Sequence, residues 1–510
     1  MRTRATGTEA MGTEAMGTSC MRATSSRTTT LRNTASRSTA MKTTAMRTTA
    51  MRAGAIEDSI DLRSSVDLRN RVTDMGDIPT TEIYGELAPM VTSPLEHILR
   101  LREEGEGHVL HMGENEGVSF YQTWKPSHAR YVLQENEKGY IREPTGHRFA
   151  PLTIGGRPSH ENLIIGVDGD RWQQKRKALR GSFIKKYTSD FVGVAAECCE
   201  ESLGTWSWTE NISYQCFHLM FSAILRYVLG IQADEPTKRG VWRALPQINR
   251  YFHNGLFTKK NIMNESYDQS FGFCRDFFSQ AIDDRLAGPR YGRQDLLSHI
   301  AQGYDLNNSV DRQQMATDIL SVSLAGADAP SLALAWTLYA IARNPEVKSR
   351  LMEEIDGVLV DHPPTRQNLA GLRYTQAVVQ ESLRLYPPAW YTPRTNIEED
   401  ALDGVRIPPG STVIVFQYLM HQDPEFWNNG TEFVPERFLN SNQHPAYMPY
   451  GWGPRYCFAA DYAHSMLVAF VALIFQKYDL WLLSPEPPQM SAYVNLRMKE
   501  DLHLQVEPRT

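Results

Sequence analysis

Apolar residues recur every three or four positions through most of the chain beyond residue 80, a spacing that predicts amphipathic helices. The helical patterns cover residues 93–105, 168–183, 273–286, 317–345 and 345–359. Short apolar runs at 108–113 and 412–417 predict strands. Because strands and helices do not alternate at a spacing of about 30 residues, a doubly wound sheet is not expected. The pattern predicts a mainly α fold with small β-sheets in a single domain over residues 81–510.

The stretch "SLAGADAPSLALAW" at 323–336 is an apolar helix pattern that Asp328 and Pro330 interrupt. Proline lacks the N–H that bonds the carbonyl four residues earlier, here that of Gly326. The longest uninterrupted apolar run is Met466–Phe475, about half of the roughly 20 residues that span a bilayer. The sequence therefore predicts no transmembrane anchor.

Residues 1–80 differ in composition, most clearly in the first 50, where threonine fills 15 positions. A basic residue recurs every five positions from Arg22 to Arg52. Five steps turn a helix by roughly 500°, which spreads these charges around it and argues against an amphipathic membrane anchor. The composition fits a transit peptide, and it equally fits a disordered low-complexity tail or a start site placed too far upstream. Both a cytoplasmic and an organellar location remain open.

Charge and cysteine content exclude several classes of protein. The net charge of -6 carries no nucleic-acid footprint. Six cysteines in 510 residues without a CxxC pair exclude a disulfide scaffold and argue against a structural zinc site. His421 and His464 are lone histidines without a partner at metal-ligand spacing.

One cysteine lies in a distinctive loop, "YGWGPRYCFA", which leads into a helix pattern. Backbone N–H groups and the positive end of a helix near Cys457 would lower its thiol pKa and favour thiolate, a nucleophile or metal ligand. A buried structural cysteine is the alternative. Elsewhere Glu381 and Arg384 share one helix face at i, i+3, and Glu436 and Arg437 follow in "FVPERFL".

Together these motifs resemble the cytochrome P450 family. "YGWGPRYCFA" is similar to its cysteine loop, "ESLR" to its Glu-x-x-Arg helix, "PERF" to the loop that follows, and "WQQKR" to a haem-facing helix. The motifs occur in the family's order between about residues 85 and 508. The resemblance implies the P450 fold, with haem b (heme b) buried between a distal helix around 317–343 and the cysteine loop around 450–459.

The resemblance also implies roles for individual residues. Cys457 would be the axial thiolate ligand of the haem iron, which favours O–O cleavage. The other haem-binding positions are Trp172, Arg176, Arg394, Tyr450, Gly451, Gly453 and Arg455. The arginines suit haem propionates because a guanidinium bonds carboxylates bidentately. Glu381, Arg384 and Arg437 would form a buried structural triad. The substrate pocket would include Val322, Ala325, Ala329, Trp390, Tyr391 and Tyr493.

The distal helix departs from the family pattern of Ala/Gly-Gly-x-Asp/Glu-Thr-Thr/Ser. Gly326 and Asp328 are kept, but Ala329 stands where the threonine is expected. Proton delivery needs donors within hydrogen-bond reach, and Ala329 supplies none. Pro330 leaves the Gly326 carbonyl open and kinks the helix, which could seat an ordered water. That water, Ser331 or a substrate hydroxyl would then relay the proton, with Asp328 as the acid.

Three functions follow from the resemblance. The first is a haem-thiolate monooxygenase that oxidises an apolar small molecule (a secondary metabolite, lipid or terpenoid) with O₂ and electrons from a separate reductase or ferredoxin. The second, suggested by Ala329, is a non-hydroxylating enzyme of oxidative coupling, cyclisation or peroxide rearrangement. The cysteine loop has normal length, whereas isomerases without the alcohol often enlarge it, and this favours the first. A non-catalytic haem sensor is the third.

Overall fold

The computed structural model describes residues 83–142, 153–154, 157–158, 164–165, 167–183, 191–258, 265–288, 296–360, 362–440 and 444–509. The predicted N-terminal segment 1–80 lies outside them. The described residues fall in one compact unit, residues 77–510, and the domain boundary at residue 80 stays a prediction.

Helices dominate the described residues, as the apolar periodicity predicts. They are α1 (Ala88–Thr92), α2 (Pro94–Glu104), α3 (Pro126–Arg130), α4 (Gly169–Ser182), α5 (Phe191–Leu203), α6 (Ile212–Leu229), α7 (Glu235–Leu256), α8 (Glu265–Ala287), α9 (Leu296–Ile300), α10 (Ser309–Arg343), α11 (Pro345–Leu359), α12 (Arg373–Leu385), α13 (Gln417–Gln422) and α14 (Ala460–Lys477). Helices α6, α10 and α14 bury most of their residues and contribute much of the apolar core. The mainly α fold with small sheets is confirmed.

The strands are short and form several separate sheets. They are β1 (Val109–Asn115), β2 (Val118–Thr123), β3 (Tyr140–Ile141), β4 (Thr153–Ile154), β5 (Arg157–Pro158), β6 (Thr209–Asn211), β7 (Thr392–Asn396), β8 (Asp400–Leu402), β9 (Val405–Ile407), β10 (Thr412–Val415), β11 (Tyr478–Leu482), β12 (Met490–Ala492), β13 (Leu496–Met498) and β14 (His503–Pro508). The largest sheet has the order β1-β2-β10-β7-β3, with only β2 and β10 parallel. Strands β12 and β13 form a two-stranded hairpin.

Helix α10 is one unbroken element of 35 residues with Asp328 and Pro330 inside it, as the helix pattern over residues 317–345 predicts. It begins eight residues before the predicted start because Asn308 caps it: the Asn308 side chain accepts from the N–H groups of Val310 and Asp311. Pro330 removes one helical hydrogen bond, but the turn that follows it is buried, and so are Ala327 and Asp328 in the turn before it. Burial of so much apolar surface outweighs that loss.

Helix α10 is also the only helix among the described residues that is long and apolar enough to cross a membrane. Most of its apolar window is buried inside the protein. A core helix meets the same criteria of length and composition.

Candidate active site

The cysteine loop has a shape that its two glycines permit. Gly451 and Gly453 have φ values of +75° and +71°, a region that side chains disfavour. A Cβ at Gly453 would lie 2.0 Å from the backbone oxygen of Leu133, so this position has no room for a side chain. The N–H of Cys457 donates to the carbonyl of Tyr450 at 3.0 Å. The loop is therefore closed on itself and pressed against the segment that contains Leu133.

Cys457 is partly exposed, whereas the other described cysteines, Cys198, Cys199, Cys216 and Cys274, are buried. Burial raises the pKa of the Cys457 thiol, and the backbone N–H of Ala459 and the charge of Arg176 offset this only in part. The expectation of a lowered thiol pKa was wrong because desolvation of the thiol outweighs the nearby backbone N–H and positive charge. A thiolate here would need a cation to hold it, as a coordinated metal does.

A buried ion-pair cluster supports the loop from helix α12. Both oxygens of Glu381 accept from Arg384, at 2.7 and 2.8 Å, and Arg437 Nε lies 3.3 Å from Glu381. Arg384 also donates to the carbonyls of His421, Gly430 and Glu432, at 2.5, 2.5 and 2.9 Å. The structure thus brings the three predicted triad residues together, with Glu381 and Arg384 fully buried. Glu436, also noted in the sequence, instead pairs with Arg350 at 2.6 Å.

Basic side chains gather beside the cysteine loop around one carboxylate. Arg455 forms an ion pair with Asp168, and Arg176 donates to the Tyr456 carbonyl at 2.7 Å. The Trp172 ring lies 4.6 and 5.4 Å from the guanidinium carbons of Arg455 and Arg176. The predicted residues of helix α4 and of the loop therefore meet.

Arg394 and a residue that the sequence motifs missed, Arg142, complete this basic cluster. Burial, together with Arg142 and Arg455, holds the pKa of Arg394 well below its usual range. Burial, then Arg455, lowers the pKa of Arg142 to about 10. A buried surplus of guanidinium charge is costly unless anions balance it. Two carboxylates of a bound group, such as the propionates of haem, would supply that balance, so these residues fit the expected cofactor.

One side of helix α10 carries a row of accessible residues, the accessible stripe, although most of the helix is buried. Ser321, Ala325, Gly326, Ala329 and Pro330 are accessible, although the residues on the other faces of the same turns are buried. Their spacing places them on one helix face, so that face borders open space. The predicted pocket residues Ala325 and Ala329 belong to this stripe, whereas Val322 is buried. A Cβ at Gly326 would lie 3.0 Å from Ile224 of α6, so the two helices approach closely there.

The two predicted relay side chains have protein partners. Asp328 accepts from Asn249 and Asn495, both at 2.6 Å, and from Arg497 at 2.9 Å. Ser331 donates to the carbonyl of Asp328 at 2.7 Å. No sequence pattern indicates the three partners of Asp328, because they lie far from it along the chain.

The predicted aromatic residues surround a histidine that the sequence did not single out. The His253 ring lies within 6.3 Å of the rings of Trp390, Tyr391 and Tyr493, centroid to centroid. His253 is fully buried; Nε2 donates to the Met90 carbonyl at 2.7 Å, so Nδ1 accepts from the Tyr391 hydroxyl at 3.1 Å. Trp390 is completely buried and donates to the Tyr493 carbonyl at 2.5 Å. These residues form one aromatic wall.

A cavity of about 910 Å³ adjoins the cysteine loop and is lined also by residues of α12 and α14. Its lining includes Arg180, Arg366, Gln380, Trp452 and Phe458. The cavity therefore offers a mixed basic and aromatic surface close to the cysteine.

Comparison with known proteins identifies a family and several relatives to which this chain is similar. A family model described as "Cytochrome P450" matches residues 125–502. "Cyclooctatin synthase" of Streptomyces melanosporofaciens is 25% identical over 80% of this chain and 91% of the relative. "Cyclooctat-9-en-7-ol 5-monooxygenase" of the same organism is 26% identical over 64% of this chain and 73% of the relative. "Protein LUTEIN DEFICIENT 5, chloroplastic" of Arabidopsis thaliana is 24% identical over 77% of this chain and 71% of that protein.

Proposed function

The chain belongs to the cytochrome P450 family, and from this we propose that it is a haem-thiolate monooxygenase that oxidises a terpenoid-like apolar substrate. The family consists of haem-iron oxidoreductases with monooxygenase activity, which generally take electrons from a separate redox partner. The single observation that carries the proposal is the meeting of Cys457 with the basic cluster of Arg176, Arg394 and Arg455 beside one loop.

We assign the haem to this loop. Cys457 would be the axial ligand, Arg176, Arg394 and Arg455 would bind the propionates with Trp172, and Gly451 and Gly453 would let the backbone approach closely. Haem bound through a thiolate supplies O₂ activation by favouring O–O cleavage. Tyr450 would pack near the sulfur, since its backbone carbonyl accepts from the N–H of Cys457.

The substrate class is inferred from the pocket and the relatives. The wall of Trp390, Tyr391 and Tyr493 and the methyl groups of Ala325 and Ala329 favour an apolar ligand. The printed names of two relatives refer to cyclooctatin and to cyclooctat-9-en-7-ol, which supports a terpenoid substrate for this chain as well.

Proton delivery in this enzyme would differ from the family pattern because Ala329 has no hydroxyl. We propose that a water held at the Gly326 carbonyl, which Pro330 deprives of its helical partner, takes that place. The sequence predicts Asp328 and Ser331 as side chains of the relay, and both have protein partners beside that carbonyl. Ala329 also supports the second candidate, a coupling, cyclisation or peroxide-rearranging enzyme that needs no such relay.

Electron supply would come from a separate reductase or ferredoxin that binds beside the cysteine loop. The surface proposed for this binding contains the exposed Tyr456 and the cavity lined by Arg180 and Arg366. Relatives described as chloroplastic, together with the transit-like composition of residues 1–50, support an organellar location.

Spectroscopy of the reduced protein with carbon monoxide tests the proposal. The wild type should show the red-shifted Soret band of a thiolate-ligated haem, and Cys457→Ala should lose it. Cys216→Ala, which changes a buried cysteine of α6, is the matched control and should keep the band. A wild type without the band would refute the assignment. Turnover with reductant and O₂, compared with peroxide alone, then separates the two candidate reactions.

A further inference from the structure

We propose that Arg497 is a positioning residue that commits the distal acid Asp328 to holding the pocket wall together instead of delivering protons. The proposal rests on the proposed function, because it concerns the same pocket. It names residues of helix α7 and of the β12–β13 hairpin that no sequence motif identifies.

The first observation is the set of partners of Asp328. Its side chain is nearly fully buried, and three donors reach it, from Asn249, Asn495 and Arg497. Amide groups are not acids, and a guanidinium does not release its proton in proteins. A proton relay needs groups that both accept and donate a proton, such as hydroxyls or water. None of these three partners can therefore pass a proton to Asp328.

The second observation is where the partners lie. Asn249 is on helix α7, Asp328 on α10, and Asn495 and Arg497 lie at the turn and on the second strand of the hairpin. Asp328 thus joins three elements that are distant in sequence. Removing one partner of such a buried ionic group leaves the others uncompensated.

The same elements carry the aromatic wall of the pocket. Two further hydrogen bonds attach the hairpin to the segment 388–390. Trp390 donates to the Tyr493 carbonyl at 2.5 Å, and the N–H of Leu496 donates to the Pro388 carbonyl at 2.9 Å. On α7, His253 follows Asn249 by one turn and bonds Tyr391. Asp328 therefore joins the hairpin that carries Tyr493, through Arg497 and Asn495, and helix α7, through Asn249, to the accessible stripe of α10.

This arrangement explains how an acid can be kept while the neighbouring alcohol is replaced by Ala329. As an anchor, Asp328 has no need of a hydroxyl beside it. The accessible stripe that contains Ala325 and Ala329 then presents methyl groups and backbone, and the proton must come from water or from a polar group on the substrate.

A double-mutant cycle on the haem-loaded, full-length protein tests the proposal. The variants are Asp328→Asn, Arg497→Gln and their combination, with Arg497→Lys as the conservative variant. The measurements are thermal unfolding, hydrogen exchange of the amides of residues 490–498, and the dissociation constant of 4-phenylimidazole from its spectral shift. Arg312→Gln, which removes an exposed ion pair with Asp283, is the matched control.

If Arg497 positions Asp328, each single variant should lower the unfolding temperature and speed hairpin exchange by roughly tenfold. The double variant should lose much less than the sum of the two, and Arg497→Lys should recover part of the loss. The 4-phenylimidazole affinity should fall in both single variants. If a single variant does not fold, the comparison of Arg497→Lys with Arg312→Gln still decides whether Arg497 positions Asp328.

Two outcomes would overturn the proposal: additive losses in the double variant, or Arg497→Gln and Arg497→Lys proteins that unfold, exchange and bind as the wild type does. A wild type that lacks the thiolate-type Soret band would instead refute the proposed function. Unfolding and hairpin exchange would still report on the Asp328–Arg497 pair in that case, so the two failures are distinguishable.

Discussion

Met448 donates its backbone N–H to Nε2 of His421 at 2.8 Å. Nδ1 of the same ring lies 3.1 Å from the carbonyl of Arg384, to which it donates. Burial, then the charge of Arg384, lowers the pKa of His421 to about 3, which keeps the ring neutral and suited to this double role. A histidine without a partner at metal-ligand spacing in the sequence thus connects the buried triad to the segment that enters the cysteine loop.

His421→Ala should leave two buried backbone groups unpaired, one on Met448 and one on Arg384. Each such group costs about 1–3 kcal/mol, so the free energy of unfolding should fall by about 2–6 kcal/mol. Chemical denaturation and haem content measure the effect. His362→Ala, at an exposed histidine, should change neither, and equal behaviour of the two variants would contradict the bridging role.

Glu381→Ala should destabilise the protein far more than loss of a similar pair at the surface. It strands the fully buried Arg384, at a cost of about 3–5 kcal/mol. Glu436→Ala breaks the pair with Arg350, whose N–O distance is similar to that of the Glu381–Arg384 pair but whose side chains are half exposed. Its loss should cost at most about 1 kcal/mol. Urea unfolding of both variants gives the comparison; similar losses would argue against the structural role of the triad.

Gly453→Ala should disrupt the cysteine loop. The positive φ alone costs about 1–2 kcal/mol, and the added Cβ would overlap the Leu133 oxygen. Gly410→Ala is the matched control, since Gly410 has a φ of +75° with open space around it. We expect haem retention to fall only for Gly453→Ala. Retention of haem by both variants would show that the loop can move away from Leu133.

Arg394→Leu should have opposite effects with and without haem. In the haem-free protein it removes a buried charge that neighbouring guanidinium groups repel, so stability should hold or rise, by up to about 1–4 kcal/mol. In the haem-loaded protein it removes a propionate partner, so haem transfer to a scavenging protein should accelerate. Arg406→Leu, at an exposed arginine, controls for surface charge. A loss of stability in the haem-free protein would contradict the charge-surplus argument.

Stability should fall between pH 7 and pH 5 in part because of His253. Burial lowers its pKa to about 4, below the value near 6.5 in the unfolded chain. The unfolded state therefore binds more protons as the pH drops below 6.5, and the contribution of His253 is lost progressively toward pH 4, by about 2 kcal/mol at pH 5. His253→Gln should flatten the pH dependence of urea unfolding, whereas the exposed His503→Gln should not. An unchanged slope in His253→Gln would contradict this assignment.

Local patterns predicted the helices and the cysteine loop because their information lies within a few residues. The apolar run identified α10, and the i, i+3 spacing placed Glu381 beside Arg384. The start of α10 was missed because its cap, Asn308, lies beyond the apolar run, where the helix surface is polar.

Residues that act through distant partners could not be read from the sequence. Arg142 joins the basic cluster, and His253 meets Tyr391 across 138 positions. Arg497 reaches Asp328 across 169 positions. None of these belongs to a motif, and each is defined only when the fold brings two elements together. The raised thiol pKa of Cys457 was likewise unpredictable, since it depends on how deeply the loop is buried.

The close approach of Gly326 to Ile224 has a consequence for altering the substrate range of this protein. A side chain at Gly326 would press against Ile224 where α10 meets α6, so a larger residue there requires the Ile224 side chain to shift. Side chains at Tyr391 and Tyr493 belong to a loop and a hairpin turn, which can be resized without separating two buried helices. Libraries aimed at new substrates should therefore vary the aromatic wall and leave Gly326 unchanged.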